Sequence, residues 1–240
     1  MNKKELVQKY PFLVQLACSA YNLRNAFRIK KGKDNTVLAP RAMLKNVNIV
    51  IKGNNNHVFI DDFTTLKNTN IYIHGNNNIV RVGKWTSFWN SEICIEDDGN
   101  EVSIGNHTKI MGNTQMAAME GTKILIGSEC GFSTDIVMRT GDSHSILDME
   151  GRRVNASRDI VLEDHVWVGL RVICMKGTYV SRNSIIAAGA VVSGKFMEPN
   201  CVIGGVPGKV IKKGVEWCTP RIPVGSVAEE FFQIPKENAQ

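Results

Sequence analysis

A six-residue repeat in the second half of the chain constrains the fold more than any other feature. An aliphatic or small apolar residue recurs at every sixth position from residue 162 to residue 192; these positions are Leu162, Val168, Cys174, Val180, Ile186 and Val192. The residue four positions after each is small or β-branched, until Phe196 ends the pattern. One inward aliphatic residue in every six suits a chain coiled into a three-sided prism, with one short parallel strand on each side.

A second repeat, of 22 residues, occupies the first half of the chain. An aliphatic residue recurs at this spacing at Leu38, Ile60, Val82, Ile104 and Ile126. The longer unit contains GNNN runs at 53–56 and 75–78. Because glycine and asparagine tolerate positive φ, these runs are expected to form wider corners of the same prism. Together the two repeats predict an all-β solenoid.

The composition of the chain agrees with a single solenoid and restricts the classes of molecule that it is expected to bind. The 240 residues carry a net charge of +6, which favours anionic partners such as phosphates but is too diffuse to indicate nucleic-acid binding. The six cysteines lack metal-ligand spacing, so no metal is expected. Cys94, Cys130 and Cys174 fall at repeat positions and are predicted to be buried small apolar residues, which indicates a reducing compartment such as the cytoplasm.

The two ends of the chain depart from the repeats. Residues 1–33 predict a helical cap, with Leu13, Leu16 and Leu23 among the apolar residues along its amphipathic helix and Pro11 near its start or dividing it. The solenoid is expected over 34–208, followed by a strand and a short tail over 209–240. We expect no transmembrane segment.

The repeat is interrupted once, between Met138 and Leu162. Residues 139–160 are polar and charged and have no period. They therefore predict a loop extruded at a corner of the prism, and loops of this kind usually carry function. This loop contains Asp142 and His144.

Four segments together resemble a known family. GDSHSI from Gly141, LEDHVWVGLRVI from Leu162, SIIAAGAVVSG from Ser184 and GGVPGKVIKK from Gly204 resemble the hexapeptide acyltransferases of the left-handed β-helix superfamily, in particular its sugar and polysaccharide O-acetyltransferases. The resemblance covers residues 100–213 well and implies a left-handed coil and a homotrimer with sites between subunits. It also implies acetyl-coenzyme A as the donor and a saccharide as the acceptor.

The resemblance places the catalytic histidine of the family at His144. Acetyl transfer to a hydroxyl needs a base, and an imidazole can accept a proton at neutral pH. Asp142 is expected either to orient that imidazole or to cap the loop. By resemblance Trp167 acts at the donor site through its indole N–H, unless it covers the prism edge and the backbone amides of Gly169 or Leu170 face the thioester oxygen instead.

The coenzyme site also follows from the resemblance. It places pantetheine along Leu170, Ala188 and Ser193, and the spacing of 18 independently puts the first two on one edge, about 4.8 Å apart. The coenzyme phosphates would then meet lysines that match or neighbour the basic positions of the family; these are Lys195, Lys209 and Lys212. Ser193 and Lys195 are separated by Gly194, an extra residue relative to the family, which leaves the role of Lys195 open.

The acceptor site is expected at Asp135, by resemblance, and at Arg139, which suits an acidic sugar; either side chain can instead form a surface ion pair.

We predict a cytoplasmic O-acetyltransferase that acts on a saccharide of the cell envelope, such as a capsule or lipopolysaccharide glycan or its precursor. The alternatives are acylation of an amino sugar, of serine or of an antibiotic on the same fold. Two other classes are a γ-type carbonic anhydrase, for which a third histidine is lacking, and a purely structural β-helix.

Overall fold

The computed structural model describes residues 9–228 and contains a parallel β-solenoid preceded by a helix, α1 (Pro11–Asn22), and a 3₁₀ helix (Leu23–Arg28). The strands, in chain order, are β1 (Ile29–Lys30), β2 (Thr36–Leu38), β3 (Met43–Lys52), β4 (His57–Ile60), β5 (Thr65–His74), β6 (Ile79–Val82), β7 (Ser87–Trp89), β8 (Glu92–Glu96), β9 (Glu101–Ile104), β10 (Lys109–Ile110), β11 (Thr114–Met119), β12 (Lys123–Ile126), β13 (Gly131–Phe132), β14 (Ile136–Arg139), β15 (Ile160–Leu162), β16 (Trp167–Val168), β17 (Ile173–Cys174), β18 (Tyr179–Val180), β19 (Ile185–Ile186), β20 (Val191–Val192), β21 (Lys195–Phe196), β22 (Cys201–Gly204) and β23 (Lys209–Lys213). The predicted fold class is confirmed.

Successive strands form the three faces of a prism. Face 1 is the eight-stranded sheet β2-β4-β6-β9-β12-β15-β18-β21. Face 2 contains β7, β10, β13, β16, β19 and β22, with β23 added antiparallel at its end, and face 3 contains β1, β8, β11, β14, β17 and β20. The long strands β3 and β5 run along faces 2 and 3 and bend between them at Asn46 and Asn68, where φ is 52° and 50°. We call the edge between faces 1 and 2 the first corner, that between faces 2 and 3 the second, and that between faces 3 and 1 the third.

The six-residue repeat forms the core of the second half. All six repeat positions from 162 to 192 point inward and are at most 1% exposed. Val168 pairs with Ile186, and Cys174 pairs with Val192, so equivalent side chains stack directly in successive coils. Burial of each large aliphatic side chain contributes about 1.5–3 kcal/mol, which explains why this pattern determines the register.

The 22-residue coils are longer because of their third corner. Gly53 and Asn55 adopt positive φ there, 120° and 55°, as expected of the GNNN runs. Inside this corner the amides of Asn56 and Asn78 are fully buried. The Asn56 Oδ1 atom accepts hydrogen bonds from the backbone N–H and the Nδ2 of Asn78, both at 3.0 Å, and Asn100 continues the series. The wider corner is therefore filled by an amide ladder that satisfies its own polar groups.

Two residues that the repeats assign to the core lie outside it. Leu38 pairs with Phe59 instead of Ile60 and is 53% exposed, because the first coil is one residue shorter and Val37 takes the inward position. Cys94 lies half-buried between the inward residues Ile93 and Ile95, since alternate residues of a strand face opposite sides. Both predictions were wrong, whereas Cys130 and Cys174 are buried as expected.

The N-terminal α-helix and the 3₁₀ helix contact the solenoid through asparagines instead of leucines. Helix α1 begins at Pro11. Asn25 is 2% exposed and exchanges two hydrogen bonds with the backbone of Val47, at 2.7 and 2.8 Å. Leu13, Leu16 and Leu23 are more than half exposed, so their expected capping contact was wrong; the physical reason is that the edge of the first coil presents unpaired backbone groups, which amides satisfy. No helix within residues 9–228 combines the length and apolar character needed to cross a membrane.

Candidate functional site

An extruded loop leaves the third corner between β14 and β15. Its base is closed by a hydrogen bond from the backbone N–H of Arg158 to the carbonyl of Thr140, 2.8 Å long. The two sides of the loop pair once more, at an antiparallel bridge between Leu147 and Arg153. His144 lies on this loop and its side chain is exposed to solvent. The interruption of the repeat thus corresponds to an ordered structure that presents an imidazole.

Asn155 holds the backbone on either side of His144. Its side chain is nearly buried, with 6% of the residue exposed. The Nδ2 group donates to the carbonyl of His144 and to the Oδ2 atom of Asp142, both at 2.8 Å, and the Oδ1 atom accepts from the backbone N–H of Ile146 at 2.8 Å. One amide therefore connects three points of the segment 142–146.

Asp142 forms an ion pair with Lys176 on the next coil. The Lys176 Nζ atom lies 2.5 Å from the Asp142 Oδ2 atom, and the lysine side chain is only 16% exposed. Hydrogen bonds from Lys176 and then from Asn155 lower the pKa of the Asp142 carboxyl. Within residues 9–228, Asp142 makes no hydrogen bond to the imidazole of His144. Of the two roles expected for Asp142, these contacts favour the anchoring of the loop.

A second ion pair fastens the far side of the loop. The guanidinium of Arg153 lies 2.5 Å from a carboxylate oxygen of Glu120, on the preceding coil. The backbone N–H of Ser157 also donates to Glu120, at 3.2 Å. The Arg153 hydrogen bond, followed by that of Ser157, lowers the pKa of Glu120 to about 2. The loop is thus attached to the solenoid by charged contacts on two coils.

Trp167 lies on the outer side of face 2, beside a second tryptophan from the C-terminal segment. It is 42% exposed, and its ring centroid is 6.0 Å from that of Trp217, at 42°. Trp217 stacks on His165 at 4.4 Å and donates its indole N–H to the His165 carbonyl at 2.9 Å. A β-carbon at Gly131 would lie 2.9 Å from the Trp217 ring, so glycine makes room for that ring.

These rings border a cleft of about 650 Å³ on face 2 and the first corner. The cleft combines aromatic, cationic and hydrogen-bonding groups; it is lined by Trp85, His107, Lys109, Met111, Glu129, Cys130, Gly131, Phe132, Ser133, His165, Trp167, Trp217, Cys218 and Thr219. Of the residues that sequence analysis assigned to a site, Trp167 is in this cleft. His165 also lines the cleft; its side chain is 24% exposed and is stacked on Trp217.

Leu170 and Ala188 stack at the second corner. The backbone N–H of Gly189 donates to the carbonyl of Leu170 at 2.8 Å. A β-carbon at Gly169 would lie 2.7 Å from the backbone nitrogen of Ala188, so only glycine allows the two turns to approach this closely. Leu170 is 41% exposed and Ala188 is exposed, so this edge of the prism is open to solvent.

The other residues expected to bind the coenzyme are at two places. Lys209 and Lys212 are exposed on β23, alongside β22 on face 2. Ser193 and Lys195 are exposed at the third corner, where Lys195 begins β21 and pairs with Tyr179. In a single chain, these two groups are therefore on different sides of the prism.

Of the two residues expected to bind the acceptor, Asp135 lies at the second corner and Arg139 lies at the start of the loop. Asp135 accepts a hydrogen bond from the Nδ2 group of Asn113 at 3.2 Å and lies 4.0 Å from the guanidinium of Arg171. Arg139 ends β14 and donates to the Oγ atom of Ser143, at 3.2 Å. Both are thus at exposed or half-buried positions with polar neighbours.

A single chain does not gather the predicted catalytic groups into one site. His144 leaves the third corner, Trp167 faces outward from face 2, and Leu170 is at the second corner. The sequence patterns do not reveal Lys176 and Trp217, because their partners lie 34 and 52 positions away. They do not reveal Asn155 either, because its partners lie in the same non-periodic loop. The one local signal is the tryptophan at position 217, which lies beyond the end of the repeats. Within residues 9–228, no three His, Cys, Asp or Glu side chains are grouped in a way that suits a metal ion.

Comparison with curated sequences finds similarity to O-acetyltransferases. The polysialic acid O-acetyltransferase of Escherichia coli O1:K1 / APEC is 32% identical over 92 residues, which are 38% of this chain and 30% of that protein. The matched segment thus spans about a third of the length of this curated relative. No protein-family profile matches the chain.

Two solved structures superimpose on most of this chain. The polysialic acid O-acetyltransferase OatWY superimposes with a TM-score of 0.71 and 27% identity, over 85% of this chain and 99% of that one. The polySia-specific acetyltransferase NeuO gives a TM-score of 0.70 and 28% identity, over 84% of this chain and 85% of that one. The predicted resemblance to sugar and polysaccharide O-acetyltransferases is confirmed by both comparisons.

Proposed function

We propose that this homologue of the sugar and polysaccharide O-acetyltransferases is an acyltransferase that moves an acetyl group from acetyl-coenzyme A to a hydroxyl of a saccharide. The observation that carries the proposal is the presentation of His144. Its imidazole is exposed on a loop that two ion pairs attach to the solenoid and that the buried amide of Asn155 braces from within. The similarity to two polysaccharide O-acetyltransferases over more than four-fifths of the chain supports the same class of reaction.

In this proposal His144 is the general base. It removes the proton of the acceptor hydroxyl as that oxygen bonds to the carbonyl carbon of the thioester. Collapse of the tetrahedral intermediate breaks the C–S bond, and the imidazolium returns its proton to the leaving thiolate. No covalent bond to the protein forms. The Asn155 contact to the His144 carbonyl supports this role, because a base must be held within hydrogen-bond reach of its substrate.

The thioester oxygen becomes negatively charged in the intermediate and needs a hydrogen-bond donor. We assign this function to the indole N–H of Trp167, with the backbone amides of Gly169 and Leu170 as the alternative. The exposure of Trp167 on face 2 supports the assignment, since a ring that only covered the core would be less accessible.

The donor is proposed to bind along the second corner. The stacked turns at Gly169, Leu170 and Ala188 offer small side chains and a row of backbone groups for pantetheine. Ser193 and three lysines complete the expected site; the lysines are Lys195, Lys209 and Lys212, and all three are exposed and able to meet phosphates. We expect no metal to take part.

The site is proposed to form between subunits of a homotrimer. One support is that His144 and Trp167 lie on different sides of one prism. Another is that the loop exposes four apolar side chains by 57–98%, namely Ile146, Leu147, Met149 and Val154. A group of exposed apolar side chains on one loop commonly marks a protein contact. A neighbouring subunit would cover these residues, and the Trp167 of that neighbour would then lie beside His144.

For the acceptor we propose a saccharide of the cell envelope, modified in the cytoplasm. Relatives that are named polysialic acid O-acetyltransferases support an anionic glycan. Arg139 and Asp135 remain proposed contacts for the carboxylate and the hydroxyls of such a sugar. The proposal involves no nucleic acid.

The test combines calorimetric titration with acetyl-coenzyme A and an assay of free-thiol release over a panel of acceptors. The panel contains polysialic acid, maltose, a galactoside, an amino sugar and serine. Binding with thiol release that depends on a saccharide hydroxyl supports the proposal, and light scattering then reports the oligomeric state. Release only with amine acceptors would replace O-acetylation by N-acylation. Absence of binding would favour a structural solenoid.

A further inference from the structure

We propose that the cleft on face 2 and the first corner is the acceptor subsite, and that it binds consecutive sugar rings of an oligosaccharide. This inference rests on the proposed function and adds a binding site to it. The cleft has a volume of about 650 Å³, within the range of small-molecule sites. Its position, its lining and its direction along the solenoid each support a saccharide.

The first corner places one side chain per coil in a straight column. Trp85, His107, Glu129 and His165 occupy equivalent positions of four successive coils, and all four have φ between 56° and 59°. Because adjacent strands are about 4.8 Å apart, this column is about 14 Å long from its first member to its last. A column of this length suits a chain of linked rings better than a single sugar.

Aromatic faces stand at both ends of the cleft. Trp85 is fixed at one end by packing on Phe63, with ring centroids 4.5 Å apart. Trp217 is fixed at the other end by its stacking on His165 and its hydrogen bond to the carbonyl of that residue. Rigid indole rings with an apolar face and few rotamers are suited to stacking on the C–H face of a pyranose.

Polar groups lie between these two aromatic ends. Lys109 projects from β10 on face 2 and has no carboxylate within ion-pair distance in the part of the chain that the structure describes. His107 and Glu129 provide both donor and acceptor atoms for hydroxyls. This combination of stacking surfaces and separated polar groups fits a polyhydroxylated ligand, and the lysine favours an anionic one.

The direction of the cleft distinguishes the acceptor from the coenzyme. From the coil that holds Trp167, the coenzyme edge continues toward the C-terminus through Ala188 to β23. The cleft continues from the same coil toward the N-terminus, through Gly131 and Lys109 to Trp85. Donor and acceptor would therefore approach Trp167 from opposite ends of the solenoid and meet there.

The test compares two groups of variants in steady-state kinetics with acetyl-coenzyme A and either an oligomer of sialic acid or maltohexaose. The cleft variants are Trp217→Leu, Trp85→Leu and Lys109→Gln. The matched controls are Trp89→Leu and Lys45→Gln, which remove the same side chains from outward positions that do not line the cleft. We expect each tryptophan variant of the cleft to raise the KM for the oligosaccharide about tenfold and to leave the KM for acetyl-coenzyme A unchanged. Lys109→Gln is expected to do so only for the anionic oligomer.

Direct binding keeps the inference testable if a variant folds poorly. Saturation-transfer NMR of the unmodified protein with each oligosaccharide should show contact with indole protons, and Gly131→Ala, which displaces the Trp217 ring, should weaken it. Cleft variants with the acceptor KM of the controls would overturn the inference while transfer itself continued. Loss of thiol release with every saccharide in the unmodified protein would instead contradict the proposed function. Equal effects of cleft and control variants would show a general loss of stability and also reject the subsite.

Discussion

The first and second halves of the solenoid build the same prism from coils of different length, and they differ mainly at the third corner. In the first half, that corner contains the buried amides of Asn56, Asn78 and Asn100, which bond to one another and to the backbone. In the second half it is tight, and Thr178 alone bonds to the carbonyls of Met175 and Val192. The three inward columns continue through both halves, so length was added where it does not disturb the core.

The loop that carries His144 leaves the same corner, where the two kinds of coil meet. The amide ladder passes from Asn100 to the backbone of Thr122, whose hydroxyl bonds to that of Thr140 at 2.6 Å. The chain departs immediately after Thr140. The third corner thus stiffens the scaffold in the first half, and at the junction of the two halves the same corner is extended into the loop that presents the candidate base. The comparison predicts that changes in the ladder affect stability, whereas changes in the loop affect activity.

The largest expected effect comes from His144→Ala. Loss of a general base should lower the rate of transfer by about 10²–10⁴-fold, while the thermal midpoint and the affinity for acetyl-coenzyme A stay unchanged. The matched variant is His74→Ala, at an exposed position that ends β5 in the first half, and it should keep full activity. Comparable activity of the two variants would contradict the assignment of the loop to catalysis.

The next largest effect concerns stability. Asn78→Leu should lower the free energy of unfolding by about 3 kcal/mol, because it leaves several buried partners of the ladder without a hydrogen bond. Thr178→Val, at the tight corner, should lower the free energy of unfolding by about 1 kcal/mol, because valine has nearly the same shape as threonine and only the hydroxyl is lost. Urea titrations of both variants measure the difference. If the two costs were equal, the ladder would not be what stabilises the wide corner.

The same contrast explains what could be predicted from the sequence. The inward residues of both repeats were predictable, because burial at a fixed spacing determines the register of stacked strands. Leu38 was misplaced because a corner one residue shorter leaves no local signal. The contacts of Lys176 with Asp142 and of Trp217 with His165 join residues 34 and 52 positions apart, so no periodic pattern reveals them. The position of His144 was predictable from the interrupted repeat and the resemblance, but its anchoring was not.

A smaller effect is expected from Lys176→Met, which breaks the ion pair at the base of the loop. Asp142 would keep its bond to Asn155 but lose its charged partner, so the segment around His144 should become less well positioned. We expect kcat to fall about tenfold with little change in the KM for acetyl-coenzyme A. Lys123→Met is the control, because it breaks the Glu101 ion pair on face 1, outside the loop. A similar loss of kcat in both variants would mean that Lys176 acts only through general stability.

The smallest effect is a change in the titration of Glu120, the other anchor of the loop. Its pKa is lowered to about 2 by the hydrogen bonds from Arg153 and Ser157, against an ordinary value of about 4.3. A lowered native pKa means that the contact stabilises the folded chain fully above about pH 4.3 and is lost as the pH falls toward 2. NMR titration of the Glu120 carboxyl should show the low value, and Arg153→Gln should raise it toward the ordinary one. An unchanged pKa in that variant would leave Ser157 as the main cause of the lowered value, and the loop would then be attached by one ion pair instead of two.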